Sequence, residues 1–180
     1  MTVAGLLLAA GAGTRYGKPK ALVDGWLAGA VAALRDGGCS SVTVVLGAAA
    51  DETRRLVPSG ASIVVAPDWD EGMGASLRAG LSSLGDASFE AVVVHLVDLP
   101  DVGPFVVRRL LGGASAGALA RATYGGRPGH PVLIGRDHWA GVIAGAVGDQ
   151  GARDYLRRHQ VDEIECGDLA EGDDVDVQDR

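Results

Sequence analysis

The sequence is poor in cysteine, in clustered positive charge and in long apolar stretches. Only Cys39 and Cys166 occur in its 180 residues, with no C-x-x-C spacing. A dense disulfide framework is thereby excluded, and a reducing cytoplasm with two inert thiols is the simplest expectation. The formal net charge is −7. Non-specific nucleic-acid binding needs a broad basic face to displace counterions, so no nucleic-acid partner is expected. A small anionic ligand needs only a local positive cluster and stays compatible with this balance.

No apolar run approaches the roughly 20 residues of a membrane span. The short apolar start resembles a signal peptide only superficially, because no Lys or Arg occurs between Thr2 and Ala10. A soluble chain without a membrane partner is expected. No internal repeat appears, and no Pro- or Ser-rich linker divides the chain, so residues 1–180 read as one domain with ample aliphatic content for one core.

What is present is an alternation. Short runs rich in Val, Leu and Ile stand at 3–9, 41–47, 61–66, 90–97, 117–124, 131–134 and 161–166. Most are apolar throughout, as strands buried on both faces are. Helical spacing occupies 27–36, 51–57, 73–84, 104–111 and 152–159. Strand and helix alternate, which predicts an α/β fold with a mainly parallel sheet. Ligands of such sheets bind at the carboxyl ends of the strands. The glycine-rich stretch after the first strand and the VDLPD stretch after the fourth are therefore expected on one edge.

That first stretch, GAGTRYGKP, fails two familiar phosphate signatures. Five residues separate Gly11 from Gly17, one too many for a Walker A loop, and Pro19 replaces its Ser or Thr. Gly11, Gly13 and Gly17 are also one residue too long for the dinucleotide fingerprint, and the second strand ends in Leu46-Gly47 without its acidic residue. What remains is a backbone with few side chains followed by Arg15, Lys18 and Lys20. Backbone N–H groups and a planar guanidinium suit a polyphosphate.

LAAGAGTRYGKPK resembles the L-A-A-G-x-G-x-R-x-G-x-x-K signature of nucleotidyltransferases with a Rossmann-like fold, and VDLPDV resembles their acidic motif after a central strand. PDWDEGMGASLRAGL, GGRPGHPVLIG, GDQGARDYL and DVDVQD resemble the MobA/MocA-like branch, which includes molybdenum cofactor cytidylyltransferases and related guanylyltransferases. The matches run from residue 6 to residue 179 in family order.

The resemblance implies attack of a phosphorylated acceptor on the α-phosphorus of a nucleoside triphosphate, with loss of pyrophosphate. Positioning and charge neutralisation dominate such transfers. Ala9, Ala10, Gly11 and Gly13 would line the nucleotide, with Arg15 and Lys20 on the leaving pyrophosphate; Lys18 is left as a surface charge. Asp98 is the expected Mg2+ ligand, with Asp176 as the second carboxylate by alignment to the family's D-I-D-T-P-E-D. By composition alone the acidic tail would read as a solvated terminus; the motif makes it dock. Ser76 would offer its hydroxyl to the ligand, while His130 and Arg153 would face the acceptor. Asp101 and Asp149 read as helix caps, and Met73 and Leu77 as core.

The chain departs from the family's pattern in three places. Val65-Ala66-Pro67 stands where relatives commonly carry an Asn, the segment after Lys20 is compact, and the tail lacks a Pro. Ala10 resembles pyrimidine-specific relatives, which points first to CTP, with a pterin phosphate as acceptor and a molybdoenzyme receiving the product. A sugar-phosphate nucleotidyltransferase using UTP or GTP is the alternative enzyme. A non-catalytic, cofactor-carrying maturation protein is the alternative outside enzymes.

Overall fold

The computed structural model describes residues 2–85 and 87–176. Its strands are β1 (Val3–Ala9), β2 (Ser41–Leu46), β3 (Ser62–Val65), β4 (Ala91–Leu96), β5 (Leu119–Tyr124), β6 (Arg127–Gly135) and β7 (Asp162–Glu165). The helices are α1 (Trp26–Gly37), α2 (Ala50–Thr53), α3 (Met73–Ser83), α4 (Pro104–Leu111), α5 (Trp139–Gly145) and α6 (Arg153–Arg157). One sheet runs β3-β2-β1-β4-β6-β5-β7. Its pairings are parallel except where β6 meets β4 and β5.

Strand composition follows position in this sheet. Every residue of the central β1 is buried, because helices cover both faces and no side of the strand meets water. The edge strand β7 is mostly charged, DEIE, as an edge that must not recruit another strand tends to be.

Two apolar layers sandwich the sheet. One joins Leu7, Val44 and Val93 to Val31 and Leu34 of α1 and to Val106, Val107 and Leu110 of α4. The other joins Leu6, Val45, Val92 and Ile134 to Leu77 and Leu81 of α3 and Val142 of α5. Close approach depends on missing side chains at two points: a Cβ on Gly37 would stand 2.5 Å from Val107, and one on Gly80 would stand 2.7 Å from Leu6. Pro104 opens α4 at a position where its absent N–H costs nothing. Both cysteines are buried, and burial pushes the Cys39 thiol up to about 12. Burial raises the Cys166 thiol as well, and among the described residues the two form no disulfide.

Several expectations are corrected. The helix expected over 51–57 splits into α2 and a 3-10 turn at Arg54–Leu56. Helix α5 was not anticipated, because Gly141 and Gly145 weaken its propensity and its stability comes from packing Trp139 and Val142 into the sheet. The GGRPGHPVLIG loop is a hairpin: Gly125 and Gly126, with φ of 58° and 77°, form the turn, and β6 already begins at Arg127. The N-cap of α4 is Gly103 and that of α6 is Ala152, both without a side-chain cap bond, so neither Asp101 nor Asp149 caps a helix. Among the described residues no helix is long and apolar enough to cross a membrane.

Candidate active site at the carboxyl edge of the sheet

After β1 the chain crosses to β2 on one side; β4 returns on the other side of β1. The loops after β1 and β4 consequently splay apart at the strand-order reversal, the usual place for a ligand in a doubly wound sheet. Parallel register between β1 and β4, with Leu8 opposite Leu96, brings Gly11 and Asp98 to the same edge. A cleft of about 440 Å³ opens there, lined by residues 8–16, Lys20, Trp69, Ser76, Asp98 and Asp176 among others.

The two glycines of the first loop have different jobs. Gly13 has φ of 63°, and a Cβ on it would lie 1.9 Å from the carbonyl oxygen of Lys18; its own carbonyl accepts from Gly17 N at 2.8 Å. This glycine shapes the turn. Gly11 has nothing within 4 Å of a built Cβ. Its bare backbone faces open space, as close approach of a ligand would require. Ala9 and Ala10 are buried in the cleft floor, and the Ala10 carbonyl ties β1 to the loop after β2 by accepting from Ala48 N. Ser76 is buried in the first turn of α3.

Lys20 stands between two acids. Its Nζ donates to Oδ2 of Asp98 at 2.8 Å and to Oδ1 of Asp176 at 2.9 Å. Burial alone would lower the Lys20 pKa, but the bonds to Asp98 and Asp176 outweigh it and raise the ammonium above its ordinary value. Arg15 is largely exposed, with Nη1 3.5 Å from Asp176. Lys18 is exposed, in keeping with its surface reading.

One carboxylate oxygen from each of Asp98, Asp174 and Asp176 lies within 4.8 Å of the others. Burial and the charges of Asp176 and Asp98 raise Asp174, whereas the bond from Lys20 lowers Asp176. Mutually repelling hard oxygen donors fit a divalent cation, and these three residues are the ones that would hold it. Sequence reasoning picked Asp176 and missed Asp174. The D-V-D spacing carried the signal, since alternate residues of an extended segment share a side. Positions 177–179, the end of the same motif, lie outside the described residues.

A second hollow of about 380 Å³ adjoins the first and shares Leu8, Met73, Leu96, Asp98 and Asp149 with it. Met73 packs against the core on one side and forms a wall between the two hollows on the other, while Leu77 is buried as expected. His130 and Arg153 line this second hollow together with Asp174. His130 reaches it because β6 runs antiparallel to β4, so the start of β6 lies at the carboxyl end of β4. Burial pushes the His130 imidazole down to about 4; Asp98 opposes this and Arg153 adds to it. His130 is consequently neutral near pH 7. Asp149 packs against Gly72, where a Cβ would meet its Oδ1 at 2.4 Å.

Comparison with known proteins accords with this geometry. The family model of the MobA-like NTP transferase domain matches residues 5–164. Nicotine blue oxidoreductase of Paenarthrobacter nicotinovorans is 38% identical over 192 residues, spanning 97% of this chain and 92% of that protein. The crystal structure of Rv0371c from Mycobacterium tuberculosis H37Rv superposes with a TM-score of 0.81 at 28% identity, covering 92% of this chain and 88% of that one. Its manganese complex gives a TM-score of 0.76 at 27% identity over 92% and 89% of the two chains. From the match over residues 5–164, the chain belongs to the MobA-like NTP transferase family.

Proposed function

We propose that this nucleotidyltransferase transfers a nucleoside monophosphate from CTP, with Mg2+, to a phosphorylated small molecule of the molybdopterin type, releasing pyrophosphate. The observation that carries the reading is the shared cleft: a bare glycine backbone after β1, a cation at Lys20 and a carboxylate at Asp98 converge at the strand-order reversal.

Each group has a duty that follows from its chemistry. Backbone N–H groups from Gly11 to Gly13 receive phosphate oxygens, and Arg15 and Lys20 offset the charge that grows on the leaving pyrophosphate. Asp98, Asp174 and Asp176 would hold a divalent cation, which would supply further charge neutralisation. Ser76 adds a hydroxyl at the cleft floor. Arg153 and neutral His130 orient an acceptor in the second hollow, whose overlap with the first at Asp98 gives the acceptor phosphate a path to the α-phosphorus. The acceptor oxygen bonds to the α-phosphorus as the bond to the pyrophosphate oxygen breaks. A molybdoenzyme that takes up the product is the partner this reading implies.

Binding of CTP, UTP, GTP and ATP, each with and without Mg2+, tests the proposal by thermal shift, because a ligand of the native state raises its stability. Stabilisation selective for CTP and Mg2+, lost in Asp98→Ala, is the expected result. Preference for another base overturns the CTP assignment, and pyrophosphate release with a sugar phosphate in place of a pterin phosphate overturns the acceptor.

The 38% identical relative carries an oxidoreductase name, and this favours one second reading: turnover of nicotine blue. The apolar wall of the second hollow, from Met73, Leu77, Leu96 and Leu156, suits a flat ring. A colour change of nicotine blue with a reduced nicotinamide dinucleotide, insensitive to Asp98→Ala, selects that reading over nucleotidyl transfer.

A further inference from the structure

The acidic tail reaches the site through a set of ties that the motif does not explain. Oδ2 of Asp101 accepts from Glu171 N at 2.8 Å and from Gly172 N at 3.1 Å. Gly172, with φ of 69°, lies so close to the Tyr124 ring that a Cβ would stand 2.2 Å from it. Beyond this point Arg127 Nη1 donates to Asp173 at 2.7 Å, Val175 N donates to the Asp98 carbonyl at 3.1 Å, and Asp176 meets Lys20. The ties at Glu171 and Gly172 precede Asp174 and the backbone tie at Val175 follows it, so Asp174 lies on a segment fixed at each end, and Asp176, one residue beyond, is held by Lys20.

We infer that Asp101 is a positioning residue for the metal-binding acids: its carboxylate anchors the returning tail so that Asp174 and Asp176 face Asp98. Two backbone amides on one carboxylate oxygen fix the chain path more tightly than a single bond, and a charged acceptor strengthens both. Asp98 and Asp101 stand three positions apart in one loop, so the acid that comes from β4 and the anchor that brings in the tail share one short stretch of backbone. Tyr124 extends the same arrangement to the second hollow, because its hydroxyl donates to the His130 carbonyl at 2.7 Å while its ring sits against Gly172. Partners that orient metal ligands typically change metal affinity by about 10–100-fold when removed.

The inference rests on the metal reading above, and the test separates the two. Mn2+ binding is measured by electron paramagnetic resonance in the wild type, Asp98→Ala, Asp101→Ala, Asp101→Asn and Gly172→Ala, with hydrogen exchange of the amides of residues 167–176 followed in parallel. Asp98→Ala should abolish tight Mn2+ binding. Asp101→Ala should weaken it about tenfold and deprotect the amides of Glu171 and Gly172. Asp101→Asn should retain most of the affinity, since the amide oxygen still accepts both bonds. Gly172→Ala displaces the tail with Asp101 intact, so it should weaken Mn2+ as Asp101→Ala does and covers the case in which that variant fails to fold. Wild-type affinity in Asp101→Ala beside a loss in Asp98→Ala overturns the role of Asp101 alone. Equal losses in Asp101→Ala and Asp101→Asn overturn it in favour of a charge effect, and unchanged binding in Asp98→Ala overturns the metal reading and the positioning role together.

Discussion

Lys20 holds its ammonium 2.8 Å from Oδ2 of Asp98 across 78 positions of sequence. A cation this close to a candidate metal ligand offsets the charge of the acid cluster, and in the proposed reaction it turns to phosphate charge once a divalent cation takes over that duty. Lys20→Ala should therefore keep Mn2+ binding while turnover falls about 10²–10³-fold, as removal of a group that stabilises developing charge does. Pyrophosphate release and metal titration on the same sample separate these effects. Loss of metal binding along with turnover would assign Lys20 to holding the acids in place.

The two loop glycines should part company on substitution. Gly13→Ala forces a Cβ into the Lys18 carbonyl at positive φ and is expected to cost about 2 kcal/mol or more in a urea melt. Gly11→Ala meets open space and should leave stability unchanged while weakening triphosphate binding. Equal affinity for CTP in wild type and Gly11→Ala would remove the first loop from the phosphate site.

Stability should fall on acidification from near pH 6.5. His95 is fully buried in β4 with no partner on either ring nitrogen among the described residues. Burial, with a smaller effect from His130, pushes it down to about 3. His130 is held down to about 4. Depressed folded values mean that the unfolded chain binds more protons as pH drops below about 6.5. The stabilisation is whole above that pH and is lost as pH falls through about 4 and about 3. Glu165 acts lower, between 4.5 and about 2, through bonds from the backbone N–H groups of Gly126, Gly125 and Gly167 and the Thr123 hydroxyl. His95→Leu should stabilise the fold by about 1 kcal/mol at pH 7, because an unpaired buried polar group is removed, and should flatten the loss between pH 6.5 and 4. Urea midpoints across that range read both effects, and an unchanged slope would show that His95 is not the titrating group.

Arg153 lines the second hollow but not the first. Arg153→Ala should lower kcat/KM for the acceptor about 10–100-fold with CTP affinity unchanged, since a guanidinium is hard to replace where it pairs with an anion. Steady-state kinetics at varied acceptor and fixed CTP check this. A change confined to CTP binding would place the nucleotide, and not the acceptor, in that hollow.

The sequence by itself determined the sheet and most of the first cleft. Apolar runs such as Val3–Ala9 and Ala91–Leu96 become central strands because only burial on both faces tolerates them. The glycine loop and Asp98 were legible because each closely follows a strand end, where local sequence fixes position, and Lys20 because it completes the motif that the glycine loop begins. Asp176 was legible only through the motif it shares with relatives, and features whose place depends on the return of a distant segment without such a motif were not. The hairpin strand that carries His130, the helix α5 held by tertiary packing, Asp174 beside Asp98, and Asp101 turned from a supposed helix cap into an anchor for the tail were all decided by the folded chain. The physical reason is that a carboxylate such as Asp101 satisfies whichever amides reach it first. Local spacing suggests the N–H groups of the nearest helix, and only the packed sheet brings Glu171 and Gly172 within hydrogen-bonding distance instead.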